Sequence, residues 1–180
     1  MNKNKVKVFD KEFEIFISQT EIESKIVEIA NQMNKDLKGE KPIFLGILNG
    51  SFMFASELFK SLDIECSISF LKLTSYQGTS STGKIKQLIG LSENLTGQTV
   101  VILEDIIDTG ITLENIMKQI TGFEPKKILI ASLLYKSEAY KKTYPIDYYC
   151  FDIPNDFIVG YGLDYNGHGR NLRHIYKIVE

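Results

Sequence analysis

Cysteine is scarce in this chain: Cys66 and Cys150 are the only two, far apart, with no CxxC pair and no Cys/His cluster. That pattern supports neither a disulfide framework nor a zinc site. Both read most simply as core residues, because unpaired cysteine is among the most often buried residue types. No apolar stretch approaches the roughly 18 to 20 residues of a membrane span, and the opening Met-Asn-Lys-Asn-Lys-Val has neither an apolar signal core nor a cleavage site. A soluble, cytoplasmic protein is the expectation. A surplus of one charge is missing too: 21 Lys and Arg stand against 23 Asp and Glu, for a net charge of -2. Sequence-independent binding to nucleic acid needs a basic excess, which this chain lacks. Internal repeats and low-complexity tracts are absent. What is present is 180 residues, 43% of them hydrophobic, enough for one domain with a real core.

Hydrophobic periodicity lays out the elements. Val6 to Phe9 and Phe13 to Ile17 flank Asp10-Lys11 and predict a small hairpin at the domain edge. Thr20 with Glu23 reads as a capping box, and Ile22, Ile26, Ile29, Ala30, Met33 and Leu37 share one helical stripe closed by Gly39 and Pro42. Ile43 to Leu48 is a continuous apolar run, as expected of a strand covered on both faces. Asn49-Gly50-Ser51 breaks it before a second helical stripe around Phe52, Ala55, Leu58 and Phe59. A strand over Ile64 to Thr74 leads into a loop of Ser, Thr, Gly and Gln from Ser75 to Gly83. Thr99 to Leu103, a helix from about Thr112 to Ile120, and Ile128 to Leu134 continue the alternation. The aromatic tail from Tyr144, with short strands at 148–153, 157–159 and 175–179, reads as a cap on the sheet and not as another βα unit. The prediction is an α/β domain: a central, mostly parallel sheet flanked by helices, with a small cap subdomain from the two chain ends.

In an open α/β sheet a ligand sits beyond the carboxyl ends of the strands, so the residues after Val100-Val101-Ile102-Leu103 are the place to look for chemistry. Glu104, Asp105 and Asp108 crowd one turn there. Thr109-Gly110-Ile111-Thr112 then leads into the helix, where backbone N–H groups, the helix dipole and two hydroxyls make a small phosphate cradle. Acids beside an anion site suit a ligand with a phosphate at one end and, at the other, hydroxyls, a bridging metal ion or a centre that turns cationic as it reacts. A ribose 5-phosphate has all three features. The plainer alternative is that acids after a strand decorate a helix N-terminus. Gly78 to Lys84 spells GxxxxGK, but Ile85 follows where a P-loop needs a hydroxyl for Mg²⁺. His168 and His174 come with no Ser or Cys nucleophile motif.

The string Val100 to Leu113 resembles the phosphoribosyl-diphosphate signature of type I phosphoribosyltransferases, and within them the hypoxanthine-guanine enzymes of purine salvage. Leu-Asn-Gly-Ser-Phe at 48 to 52, Ser75-Tyr76, Leu-Leu-Tyr-Lys at 133 to 136 and Phe157 to Asn166 match in the same order. The resemblance implies the type I phosphoribosyltransferase fold as a single domain over 1–180, with a flexible flap at about 74–86 rooted at Ser75 and Tyr76. It implies Mg²⁺-dependent transfer of 5-phosphoribosyl from 5-phosphoribosyl 1-diphosphate to N9 of hypoxanthine or guanine. By the same match, Glu104 and Asp105 would hold the ribose hydroxyls directly or through Mg²⁺. Asp108 would be the general base that takes the purine N7 proton, and Thr109, Gly110, Ile111 and Thr112 would bind the 5-phosphate. On the purine side, Lys136 would donate to the 6-oxo group, Phe157 would stack on the base, Ile158 would meet its edge, and Asp164 would bind a second Mg²⁺. Asn49 and Gly50, through backbone N–H groups beside a non-proline cis peptide, would bind diphosphate with Arg170. The partners implied are small-molecule substrates, with no nucleic acid or membrane, in a homodimer or homotetramer.

Taken singly, Lys136 reads also as a solvated strand-end lysine, Phe157 as a core aromatic, and Asp164 and Arg170 as surface ion-pair partners. Two departures stand out. Asn49 occupies a position where several relatives carry Lys or Arg, and His168 lies between Gly167 and Gly169, which predicts a looser segment before Arg170. A non-catalytic regulator of the same fold, sensing the diphosphate sugar, is the alternative, although neither an appended helix-turn-helix nor a basic excess accompanies it.

Overall fold

The continuous apolar runs form the centre of the molecule. The computed structural model describes residues 4–76 and 85–179. In chain order the elements are β1 (Lys5–Val8), β2 (Lys11–Ile17), α1 (Gln19–Asp36), β3 (Ile43–Leu48), α2 (Phe52–Phe59), β4 (Ser67–Tyr76), β5 (Ile85–Ile89), β6 (Thr99–Ile107), α3 (Ile111–Thr121), β7 (Lys127–Tyr135), β8 (Tyr148–Asp152), β9 (Ile158–Val159) and β10 (Ile175–Ile178). Strands β4-β3-β6-β7-β8 make a parallel sheet, with β5 added antiparallel at one edge. Alternation along the central strands feeds two cores. Phe44, Val101, Leu103 and Ala131 pack with α1 and α2, whereas Leu45, Val100 and Ile102 pack with Ile116 and Ile120 of α3. The antiparallel sheet β1-β2-β10-β9 is built from the two chain ends, as the pattern of short strands led us to expect.

Several local expectations are corrected. Helix α1 starts earlier: its N-cap is Ser18, whose hydroxyl accepts the Glu21 N–H while the Glu21 carboxylate accepts the Ser18 N–H, so the capping box is Ser18/Glu21 and not Thr20/Glu23. In α2 the buried face is Phe54, Ala55 and Leu58, and Phe52 is exposed. Strand β6 runs on to Ile107 because Glu104, Ile106 and Ile107 keep pairing with Ser132, Leu134 and Tyr135 of β7. The residues at Tyr148–Asp152 are not part of the cap: β8 pairs in parallel with β7 and extends the central sheet. Strand β5, which periodicity did not separate from the loop, pairs with β4. Cys150 is buried and Cys66 only partly so. Most of the expected flap, and the GxxxxGK string, fall on 77–84, outside the described residues. Ser75 and Tyr76 end β4, where their backbones pair with Lys86 and Ile85. Among the described residues no helix is long and apolar enough to cross a membrane.

Candidate active site

The carboxyl ends of β3, β6 and β7 open on the same edge of the sheet, and the side chains of interest gather there. After β6 the chain makes the expected cradle. Gly110 is the N-cap of α3 at φ +81, and no side chain caps the helix. The first-turn N–H groups of α3, which lack intrahelical acceptors, therefore face a cavity of about 170 Å³ lined by Glu104 and residues 106–113. A side chain at Gly110 would meet the Tyr140 ring at 2.5 Å, so both the backbone angle and the space require glycine.

The three acids do not share one turn. Glu104 and Asp105 are still on the strand, where the pleat sends neighbours to opposite sides. Glu104, 4% exposed, lines the cradle, and burial with the nearby Asp105 charge pushes its carboxyl well above the usual range. Asp105 turns toward the loop after β3: a Cβ built on Gly50 would fall 1.5 Å from its Oδ2. Burial raises Asp105 to about 6, against the Ile106 N–H it accepts at 3.0 Å and the pull of Arg170. The Leu48–Asn49 peptide is cis, as the match to the diphosphate loop implied.

The cap closes on this loop. A Cβ on Gly162 (φ +100) would meet the Gly50 carbonyl oxygen at 2.1 Å. Arg170 Nη1 donates to the Gly162 carbonyl at 2.6 Å, and Arg170 Nη2 is ion-paired with Asp164 Oδ1. The other Asp164 oxygen accepts the Gly167 N–H at 2.7 Å. Around the 167–169 segment, Tyr165 and His168 exchange two backbone hydrogen bonds, and the His168 ring stacks on Phe9. Arg170, Asp164, Asp105 and Gly50 thus form one cluster on the α2 side of β6.

On the other flank Asp108 and Lys136 meet. Lys136, 6% exposed at the end of β7, donates through Nζ to Asp108 Oδ2 at 3.1 Å and to Asn155 Oδ1 at 2.9 Å. Its backbone N–H is tied to the Ile107 carbonyl at 2.9 Å. Phe157 is 46% exposed, a large ring left open, and Tyr165 braces it edge-on at 5.6 Å between centroids. Ile158 is buried in β9.

This arrangement of an uncapped helix N-terminus, flanking carboxylates, a buried ammonium and an exposed ring has counterparts. A family model described as the phosphoribosyl transferase domain matches residues 17–166. The chain belongs to the phosphoribosyltransferase family.

The chain is 40% identical over 167 residues to a hypoxanthine-guanine phosphoribosyltransferase of Streptococcus pneumoniae, covering 92% of this chain and 93% of that protein. With that of Streptococcus pyogenes the identity is 39% over the same shares. Among solved structures it is similar to a hypoxanthine phosphoribosyltransferase from Staphylococcus aureus, at 36% identity and TM-score 0.84, over 92% of this chain and 91% of that one. A hypoxanthine-guanine phosphoribosyltransferase from Bacillus anthracis gives 34% and 0.82, over 93% and 97%.

The fold brings Asp108 to Lys136 and Asp105 to Gly50, and it sets Glu104 and Asp105 on opposite sides of β6. His174 is spoken for: its Nδ1 accepts the Gln19 N–H at 2.8 Å at the start of α1. Asn155 is a site neighbour that no sequence signal singles out; only the fold brings it to Lys136. The carboxylates offer hard oxygen donors of the kind Mg²⁺ takes. Among the described residues, however, no three His, Cys, Asp or Glu side chains gather into a ready-made cage.

Proposed function

We propose that this chain transfers the 5-phosphoribosyl group of 5-phosphoribosyl 1-diphosphate to N9 of a 6-oxopurine, hypoxanthine or guanine, releasing diphosphate and the nucleoside monophosphate. The observation that carries the reading is the Asp108–Lys136 pair, which sets a carboxylate at the mouth of the anion cradle in contact with a buried ammonium. The α3 N–H groups hold the 5-phosphate and fix C1 of the ribose near Asp108. As the C1–oxygen bond to diphosphate breaks and N9 bonds to C1, Asp108 accepts the proton that leaves N7. Glu104 and Asp105 grip the ribose hydroxyls, and Asp105 adds negative potential beside the oxocarbenium-like centre. Lys136 donates to the 6-oxo group. Adenine carries a donor at that position and is refused, because the ammonium would be left without an acceptor. Phe157 supplies the stacking face and main-chain groups at Ile158 the edge contact. Asn49 and Gly50 N–H groups with Arg170 receive the diphosphate, Arg170 remaining steadied by Gly162 and Asp164. Mg²⁺ would be held by Asp105 and Asp164, directly or through water, and would neutralise diphosphate charge, whereas Glu104 stands on the opposite side of β6, at the cradle. The same reading has the enzyme working in the cytoplasm as a homodimer or homotetramer, a point for light scattering. The test is a spectrophotometric assay with the diphosphate sugar and Mg²⁺, offering hypoxanthine, guanine, xanthine and adenine in turn. Turnover of 6-oxopurines and not adenine is expected. No turnover, with tight binding of the sugar, would make the chain a sensor of that sugar.

A further inference from the structure

Lys136 is a flexible side chain in a nearly closed place, and its hydrogen bonds decide where its charge points. An ammonium has three N–H donors in a fixed fan. One goes to Asp108 Oδ2 at 3.1 Å and one to Asn155 Oδ1 at 2.9 Å. With two directions taken, the third is set for whatever acceptor a ligand brings. Asn155 sits in the turn between β8 and β9, two residues before Phe157. That turn is anchored to the end of β7 beside Lys136. The Ile153 N–H donates to the Tyr135 carbonyl at 2.8 Å, and the Asp152 carboxylate accepts from the Ser137 N–H at 3.1 Å and the Ser137 hydroxyl at 2.6 Å. One short segment therefore carries both the open aromatic ring and the group that steadies the ammonium.

We propose that Asn155 is a positioning residue for base selection: its carboxamide oxygen takes one N–H of Lys136 beside the one that Asp108 takes, and so aims the third at the 6-substituent of the purine. Without it the ammonium can collapse onto Asp108, which costs the base contact and encumbers the carboxylate that must take the N7 proton. The inference rests on the 6-oxopurine reading of this site.

The test compares wild type, Asn155→Ala, Asn155→Asp, Lys136→Met and the Asn155→Ala/Lys136→Met double variant. Asn155→Ala is expected to lose about tenfold in kcat/KM for hypoxanthine, the worth of one hydrogen bond to a charged group. KM for the diphosphate sugar, adenine turnover and Tm should hold, because Asn155 is exposed. Asn155→Asp keeps an acceptor oxygen and should keep the selectivity. In the Lys136→Met background, Asn155→Ala should add nothing further. Wild-type selectivity in Asn155→Ala, or an equal loss with and without Lys136, would overturn the positioning role while leaving the reaction intact. A wild-type chain that turns over none of the purines overturns the reading of the site and this inference with it.

Discussion

Replacing Gly50 by alanine puts a methyl carbon where the Asp105 carboxylate already is: 1.5 Å from Oδ2 and 2.2 Å from Cγ. An overlap of that size is not absorbed by small shifts of a side-chain end, because Asp105 is held by the Ile106 N–H at 3.0 Å and Gly50 is backed by Gly162 of the cap. Either the carboxylate swings out and loses its donor, or the 49–51 loop lifts away from the cap. Overpacking costs about 1–3 kcal/mol and a buried acceptor without its donor a further ~1–3, so a loss of roughly 2–6 kcal/mol is expected. For a chain of this length that lowers Tm by about 4–24 °C. Since the same loop faces the proposed diphosphate site, KM for the diphosphate sugar should rise as well. Thermal melts by circular dichroism and initial-rate kinetics measure both. Two controls separate this contact from a general intolerance of alanine. Gly39→Ala meets nothing within 4 Å and bears only its positive φ of +83, worth about 1–2 kcal/mol, with KM unchanged. Removing the obstacle in Gly50→Ala/Asp105→Ala should leave the double variant more stable than the sum of the single losses. Wild-type Tm and KM in Gly50→Ala, or strict additivity in the pair, would refute the argument.

Other expectations follow from the same geometry. Asp108→Asn should lower kcat by roughly 10²–10⁴ with little change in KM, because only the proton acceptor is lost; unchanged turnover removes Asp108 as the base. Lys136→Met should narrow the preference for hypoxanthine over adenine by about 10–100-fold, and intact discrimination sinks the 6-oxo contact. Chelating divalent ions should abolish turnover and Mg²⁺ restore it, whereas full activity in the chelator contradicts the need for the ion. Burial pushes the Cys150 thiol up to about 12, and raises that of the less buried Cys66. A thiol with a raised pKa stays protonated below it, so at pH 8 only about 10⁻⁴ of Cys150 is thiolate. A thiol reagent should therefore titrate Cys66 well before Cys150 in the native protein and both together in denaturant; equal native rates would contradict the packing of β8.

Long periodic segments declared themselves because both of their neighbours are apolar: β3 was legible to the residue, and the stripe of α1 was right throughout. Its start was misplaced because Ser18/Glu21 and Thr20/Glu23 both spell a capping box, and only the hydrogen bonds choose between them. The end of β6 was hidden for a different reason. Glu104 and Asp105 look like loop residues by polarity, but both lie on β6, and the pairing with β7 continues through Glu104, Ile106 and Ile107. The tail misled at β8, where a parallel strand arrives without a crossover helix and so lacks the usual βα rhythm. Motif reading found most of the candidate site, because cradle and acids are contiguous in the chain. It had no means of finding Asn155, which is joined to Lys136 only by the fold, nor the contact between Gly50 and Asp105 that makes glycine obligatory there.

The most direct measurement of the central claim is product analysis of a single reaction of hypoxanthine, 5-phosphoribosyl 1-diphosphate and Mg²⁺ with the purified chain, by NMR and mass spectrometry alongside a diphosphate assay. The expected product is the N9-linked nucleoside monophosphate, formed in equal amount with diphosphate and only when the base is present. Diphosphate released without nucleotide, or a nucleotide linked through another ring nitrogen, would contradict it.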